Sequence, residues 1–147
     1  MNVRYLIALV AIIVAGVAYY GISPLFRNVE IHEEAPKTST STPMTDQNTA
    51  EVIGTDLYPA SGTARIIEGE GKKYLRYENF KTINGPDLYV YLAKDLDAKE
   101  FVNLGEIKGT EGNINYEIPA GVNFAEYPYA LTWCKQFSVL FNYAKIN

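Results

Sequence analysis

The hydrophobic pattern first marks out the N-terminus of the chain. From Tyr5 to Phe26 there are 22 consecutive residues without a charged side chain. At about 1.5 Å per residue, a helix of this length spans roughly 33 Å, enough to cross a hydrocarbon core of about 30 Å. The pattern therefore predicts an N-terminal membrane anchor over residues 1–27. A cleaved secretion signal is the alternative, because Gly16-Val17-Ala18 offers small residues at the positions that a signal peptidase prefers, but the length of the run and the tyrosines at its end favour the uncleaved anchor.

Basic residues near this segment predict its orientation. Arg4 and the terminal amine precede it, and Arg27 follows it. Under the positive-inside rule, this small imbalance favours an N-terminus in the cytoplasm. We therefore expect a single-pass membrane protein whose C-terminal domain lies outside the cytoplasm.

Residues 28–51 have a different composition. They contain few aliphatic residues, several acids and the run TSTSTP from Thr38 to Pro43. Such a segment buries too little apolar surface to offset the entropy of ordering it. We interpret it as a disordered, flexible linker, in which the only histidine, His32, is a solvated side chain.

Residues 52–147 have the alternation of a β domain. Leu88 to Ala93 separates aliphatic from aromatic residues at a period of two, and short segments of this kind recur between Gly and Pro turn signals. The pattern predicts an all-β domain, an antiparallel sandwich or barrel. A helical turn or two is indicated over Ala93–Phe101. The predicted strands are Gly62–Ile67, Lys73–Phe80, Leu88–Ala93, Asn113–Ile118 and two within Tyr129–Ile146, separated by a bend at Lys135–Gln136.

Composition narrows the chemistry. The chain has 147 residues, 13 Lys plus Arg, 17 Asp plus Glu, one Cys and one His. The net charge of −4 lacks the basic field that nucleic acids require. One Cys cannot form an intramolecular disulfide, and one His, placed in the linker, cannot complete a multi-histidine metal site or serve a nucleophile in the domain. We therefore predict no metal site and no nucleic-acid partner.

The remaining candidate for chemistry is Cys134. A free Cys is usually a small buried hydrophobe, yet an odd thiol in an oxidising compartment is unusual. In an unbroken strand, Cys134 shares a face with Thr132, while Trp133 and Phe137 lie on the opposite face. This arrangement predicts a reachable thiol. The ammonium of Lys135 would lower the thiol pKa only if the bend brought it round. Cys134 is thus the predicted redox thiol, with Thr132, Trp133 and Lys135 as its supporting pocket.

The domain also resembles a known family. It is similar to the DM-thirteen domain, an electron-transfer module of animal cell-surface proteins and of microbial membrane-anchored proteins. The similarity extends from about Tyr58 to Ile146 and is carried by Ser61-Gly-Thr-Ala64, Gly85-Pro-Asp-Leu-Tyr-Val-Tyr-Leu92, Leu104-Gly-Glu-Ile-Lys-Gly109, Gly112-Asn-Ile-Asn-Tyr-Glu-Ile-Pro119, Trp133-Cys134, Phe137-Ser-Val-Leu-Phe141 and Ala144.

The resemblance implies an all-β fold and a redox role for the family cysteine, here Cys134, either as a bare thiol or as the holder of a prosthetic group such as haem. Because the domain has no His or Met, haem could be ligated only through Cys134 or a Tyr. We expect no cofactor or a haem held by Cys134, and a redox partner protein. Whether the domain is an enzyme stays open.

Two alternatives to redox chemistry remain at this point. The first is a cell-surface module that binds carbohydrate or protein through Tyr-rich loops, with Cys134 packed in the core. The second is an intermolecular disulfide through Cys134. Exposed tyrosines clustered beside a concave surface would favour the binding module.

Overall fold

The computed structural model describes residues 3–22, 28–37 and 49–147. The first of these ranges contains α1, Val3–Ile22, whose apolar side chains are largely exposed, as in Ile12 at 73%. Among the described residues, no helix is both long and apolar enough to cross a membrane. The predicted transmembrane helix is therefore not supported.

The rest of the described chain is mostly β structure. It forms one nine-stranded sheet in the order β1-β7-β4-β3-β2-β9-β8-β5-β6. All neighbouring strands run antiparallel except β1 and β7, which are parallel. The predicted all-β class is confirmed, but the sheet is mixed. The strands are β1 Glu30–His32, β2 Ala50–Gly54, β3 Ala60–Gly69, β4 Lys72–Thr82, β5 Leu88–Ala93, β6 Phe101–Glu106, β7 Glu111–Ile118, β8 Tyr129–Cys134 and β9 Val139–Lys145.

Strand β2 is where the sheet curls. Its first two residues pair with β3, whereas Val52–Gly54 pair with β9. The sheet thus has two arms, β1-β7-β4-β3 and β9-β8-β5-β6, whose inner faces enclose one core like a half-barrel. Tyr77, Phe80 and Tyr116 are the largest side chains in this core and are almost fully buried. The barrel-like prediction is confirmed at this level.

Several predicted strands are found at or near their predicted positions. Leu88–Ala93 is strand β5, and the predicted bend at Lys135–Gln136 lies in the turn between β8 and β9. The helical turn indicated over Ala93–Phe101 is wrong, because residues 94–100 form bends and turns that lead into β6. The sequence pattern also missed β1, β2 and β6.

Residues 28–37, which we call the strap, lie along the edge of β7. Strand β1 belongs to the strap, and the half-buried side chain of Ile31 packs against the main core. Ala50 and Glu51, at the end of the predicted linker, pair with β3. Both ends of the predicted flexible linker 28–51 are therefore part of the sheet, and its residues 38–48 lie outside the described residues.

The strap is held by side chains as well as by strand pairing. One Glu33 carboxylate oxygen lies 3.0 Å from Lys108 Nζ, and the other accepts a 2.7 Å hydrogen bond from the Asn115 backbone amide. The guanidinium of Arg76 donates to the Glu33 carbonyl oxygen at 3.2 Å. Since these partners come from β4, β7 and the segment before β7, the strap closes one edge of the sheet.

Two β-bulges change the direction of side chains in the core. One lies in β4, where the register shifts between Tyr77 and Phe80, so both rings point inward, 4.6 Å apart. The other lies opposite β8, where Thr132 pairs with Asn142 and Trp133 pairs with Leu140. Bulges of this kind re-aim side chains without breaking the sheet.

Candidate functional site

Cys134 lies inside the protein. It is the last residue of β8, has no exposed surface, and forms a small apolar cluster with Leu88 and Phe141. The half-buried side chains of Tyr58 and Ile107 pack against this cluster. The predicted reachable thiol is wrong for this conformation, because the sulfur is enclosed on every side.

The reason lies in which face of β8 meets the core. Ala130, Thr132 and Cys134 are fully buried and face the interior, whereas Trp133 is half-buried on the outer face. The outer face is itself covered, since Leu96 and the chain around it pack over this side of the arm. The smaller side chains of β8 therefore face the crowded interior, and the larger ones, Leu131 and Trp133, pack on the outer face.

One aromatic pair packs at the cluster that contains the thiol. The rings of Tyr58 and Phe141 are stacked with centroids 3.9 Å apart and planes 7° from parallel. Tyr58 belongs to a short turn in which the Thr55 backbone amide donates to the carbonyls of both Tyr58 and Phe141. This turn lies between β2 and β3 and is not paired as a strand. The Tyr58 ring thus belongs to a surface segment rather than to the sheet.

The predicted supporting residues do not converge on the thiol. The Lys135 ammonium lies over the Tyr89 ring, 5.1 Å from its centroid, on the outer face of the sheet. Thr132 shares the inner face with Cys134, two residues away in β8, and Trp133 faces outward. Of the three, only Thr132 is on the same side of the sheet as Cys134.

Trp133 instead lines a surface groove of about 520 Å³. The groove lies between residues 55–58 on one side and Leu96 with Asp97 on the other, with residues 138–140 beside Trp133. Tyr58 is part of the same groove, so its ring separates the groove from the cluster around Cys134. Leu57, 78% exposed, extends the apolar surface at the rim.

Tyrosines collect on the outer face of the same arm. Tyr91 is buried there, with half-buried Tyr89, Tyr129 and Tyr143 packed around it. Tyr91 stacks on Phe101 with ring centroids 4.1 Å apart. The cluster is a second, smaller core whose open end is the Trp133 groove.

The site offers little to a metal or a haem. Over residues 3–22, 28–37 and 49–147, no three His, Cys, Asp or Glu side chains are grouped to hold a metal ion. A haem held through Cys134 would need an open face beside the sulfur. Since Cys134 is fully buried with Leu88 and Phe141, and Tyr58 and Ile107 pack against this cluster, the residues in this arrangement do not fit a haem.

An electrostatic network links β3, β4 and the strap. Glu78 Oε1 accepts 2.8 Å hydrogen bonds from both Arg65 and Arg76. Partial desolvation would raise the pKa of Glu78, but the hydrogen bonds and positive charges of the two arginines outweigh it and hold the pKa below its ordinary value. Arg76, nearly fully buried, also donates to Asn115 at 2.8 Å. These contacts serve the fold, since they lie on the opposite arm from Cys134.

Together these features define a class: an all-β domain with a curled sheet and a single cysteine in its core. The family profile described as electron transfer DM13 matches residues 53–146, and the chain belongs to this family. The match ends at the last buried side chain, Ile146, and leaves out the strap and the start of β2. No curated protein and no solved structure matches the chain.

Sequence reasoning missed the residues that enclose the thiol. Leu88 and Phe141 stood in the motifs that carry the family resemblance, but nothing in the sequence pointed to their contact with Cys134. Tyr58 precedes the first predicted strand, so its stacking on Phe141 depends on the pairing of β2 with β9. Such long-range pairing leaves no local signal.

Proposed function

We propose that the β domain is an electron-transfer domain whose redox group is the Cys134 thiol, exposed when the turn that carries Tyr58 moves aside. The observation that carries the proposal is the family match, which covers Cys134 and describes an electron-transfer domain. The position of Tyr58 supports this route of access. Its ring packs against the cluster that contains the thiol and belongs to a short turn, and such segments open at lower free energy than paired strands.

The chemistry that a lone thiol supports is exchange with a disulfide of a redox partner protein. The Cys134 thiol loses its proton to solvent, and the thiolate attacks one sulfur of the partner disulfide. A Cys134–partner disulfide forms, the old sulfur–sulfur bond breaks, and the second partner sulfur leaves as a thiolate. A thiolate from a second thiol then attacks the partner sulfur of this mixed disulfide, so Cys134 leaves as a thiolate and the second thiol ends in a disulfide with that partner sulfur. The electron pair of the second thiol has then passed to the partner sulfur that left in the first step.

Glutathione disulfide is a simple probe of this reaction. We expect the folded protein to gain one glutathionyl group slowly, as seen by mass spectrometry, and Tyr58→Ala to gain it at least tenfold faster. Cys134→Ser should gain none. A matched control is Tyr89→Ala, which removes a tyrosine from the outer face and should leave the rate unchanged. If Tyr58→Ala stays as slow as the parent although unfolded protein reacts fully, thiol exchange is not the function.

A second candidate is a binding module for carbohydrate or protein, and the Trp133 groove favours it. The groove is shallow and open, its lining includes the aromatic side chains of Trp133 and Tyr58, and it adjoins the tyrosine cluster of the outer face. Aromatic faces beside carboxylates, here Asp56 and Asp97, are common in sugar-binding sites. Because Trp133 is the only tryptophan, its fluorescence reports on this groove.

Titration with oligosaccharides of cello, chito and malto type tests the second candidate. Binding in the groove should change Trp133 fluorescence with saturation, and Asp97→Asn should weaken the response while Cys134→Ser leaves it intact. Lys81→Gln, on the other arm, is the matched control. No saturable change with any of these sugars excludes carbohydrate binding at the groove.

Location is also part of the proposal. We expect α1 to hold the chain at a membrane, with the β domain outside the cytoplasm. The exposed apolar side chains of α1 support an apolar environment for this segment. Membrane fractionation with carbonate washing, and protease accessibility in intact cells, test the two statements separately.

A further inference from the structure

Three polar side chains lie in the interior between the two arms of the sheet. Tyr77 on β4, Thr132 on β8 and Asn142 on β9 are each at most 1% exposed. Among the described residues, the Tyr77 hydroxyl, the Thr132 hydroxyl and the Asn142 side-chain oxygen have no hydrogen-bond partner. Buried polar atoms in folded proteins are almost always paired, so three unpaired ones in one core need an explanation.

Strand register places these groups together. Thr132 and Asn142 are directly opposite each other on neighbouring strands and both face inward, which brings their Cβ atoms to within roughly 5.5 Å. Tyr77 reaches them from the opposite arm: its pKa is raised by burial, and the nearby Thr132 hydroxyl opposes the rise. The two hydroxyls are neighbours, but their geometry falls short of a hydrogen bond.

The Asn142 amide adds a polar group that is already held in place on one side. Its nitrogen donates to the Thr82 hydroxyl at 3.0 Å, which leaves the oxygen for another partner. If the amide were turned over, Thr82 would donate to the oxygen and the nitrogen would be the unpaired end. In either orientation, only one end of the amide contacts Thr82, and the other end is left for a different partner.

Both bulges described above contribute to this arrangement. The β4 bulge follows Tyr77, and the bulge between β8 and β9 adjoins the Thr132–Asn142 pair. Without the second bulge, the side chains of β9 would alternate regularly, and Phe141 and Asn142 would not both be buried. The backbone is thus shaped to direct an amide and an aromatic ring into the same interior.

We propose that Tyr77, Thr132 and Asn142 form an internal site that binds one water molecule. Water is the ligand whose chemistry fits, because it accepts from the Tyr77 hydroxyl and donates to the Thr132 and Asn142 oxygens. No charged side chain belongs to the set, so an ion has no counter-charge there. Buried waters typically make about three hydrogen bonds to such groups.

A crystal structure at a resolution that shows ordered water tests the site directly. We expect one electron-density peak within about 2.7–3.2 Å of all three oxygen atoms. A direct hydrogen bond between Tyr77 and Thr132, with no peak beside them, would overturn the proposal.

Urea unfolding gives an independent test in solution. Tyr77→Phe and Thr132→Val preserve shape and remove one hydroxyl each, and each should lower the unfolding midpoint, by about 0.5 M. If one water joins the two groups, the double variant loses clearly less than the sum of the single losses. The matched control pairs Tyr77→Phe with Thr110→Val, whose hydroxyl binds the strap and whose effect should add. Hydroxyls that are truly unpaired would instead make both single variants more stable, which contradicts the proposal.

Discussion

Gly112, on β7, lies directly against the backbone of the strap. Its backbone has φ of +113°, and a Cβ built there would overlap the carbonyl oxygen of Ile31 in the strap. We therefore predict that Gly112→Ala destabilises the protein through two effects that can be separated. One is backbone strain at Gly112 itself, and the other is displacement of the strap.

A matched glycine isolates the strain. Gly105, on β6, has φ of +115° but open space where a Cβ would lie. Alanine at such a φ costs about 1–3 kcal/mol, so Gly105→Ala should show this cost alone. Gly112→Ala should show the same strain and, in addition, the loss of strap contacts.

The contacts at risk are the hydrogen bonds between the strap and residues 110–113. Val29 O accepts from the amides of Thr110 and Glu111 at 2.8 and 3.1 Å, the Val29 amide donates to the Thr110 hydroxyl at 2.9 Å, and the Glu33 amide donates to the Asn113 carbonyl at 2.8 Å. At a net value of about 0.5–1.5 kcal/mol each, these bonds together contribute roughly 2 kcal/mol or more.

Equilibrium urea unfolding followed by Trp133 fluorescence measures both variants. An extra loss of about 2 kcal/mol lowers the midpoint of Gly112→Ala by roughly 1 M relative to Gly105→Ala. Hydrogen exchange should also speed up at the Thr110 amide in Gly112→Ala only. Equal midpoints for the two variants, with unchanged exchange at Thr110, would refute the described packing of the strap.

Three further predictions concern charge, access and location. The folded-state pKa of Glu78 lies below its ordinary value of 4.5, so the arginine contacts stabilise the fold at pH values above 4.5. This contribution is lost as the pH falls through the folded-state pKa. In urea titrations, Glu78→Gln should therefore lose less stability than the parent between about pH 6 and pH 3. Cys134 should resist a maleimide in the folded state and react fully in urea, whereas Tyr58→Ala should allow labelling in the folded state. Rapid labelling of the folded parent would contradict the burial described. The full chain should pellet with membranes after a carbonate wash, and release into the supernatant would count against attachment through residues 3–22.

The parts of the fold that follow from local pattern were predictable. Leu88–Ala93 alternates cleanly and is strand β5, and the polar pair Lys135–Gln136 lies in the turn it was expected to form. The family resemblance, carried by motifs from Ser61 to Ala144, is confirmed over residues 53–146.

The site was harder to predict because the decisive facts are not local. Residue size in β8 predicted that the Trp133 side would face the core and the Cys134 side would be reachable. The structure reverses this, since Tyr77 from the opposite arm fills the interior and residues such as Leu96 cover the outer face. A strand with plausible cores on both sides cannot be oriented from its own sequence.

Strand β1 was missed for a related reason. Glu30–His32 is a polar stretch with one aliphatic residue, Ile31, and has no strand pattern of its own. It is extended because β7 offers an edge there, with glycines at 109 and 112 leaving room for the strap backbone. The information for this strand lies about 80 residues further along the chain.

The place of the strap in the sheet also limits the distance that the chain allows between α1 and the sheet. The helix ends at Ile22 and the strap begins at residue 28, so six peptide steps join them, a reach of about 22 Å at full extension. Residues 38–48 join the strap to β2, and the strap and β2 both belong to the same sheet. Lengthening residues 38–48 would leave that reach unchanged, whereas each residue inserted at 23–27 would extend it by about 3.5 Å. The covalent limit on the separation of α1 and the strap is therefore set by the five residues 23–27 and not by the full length of the polar segment.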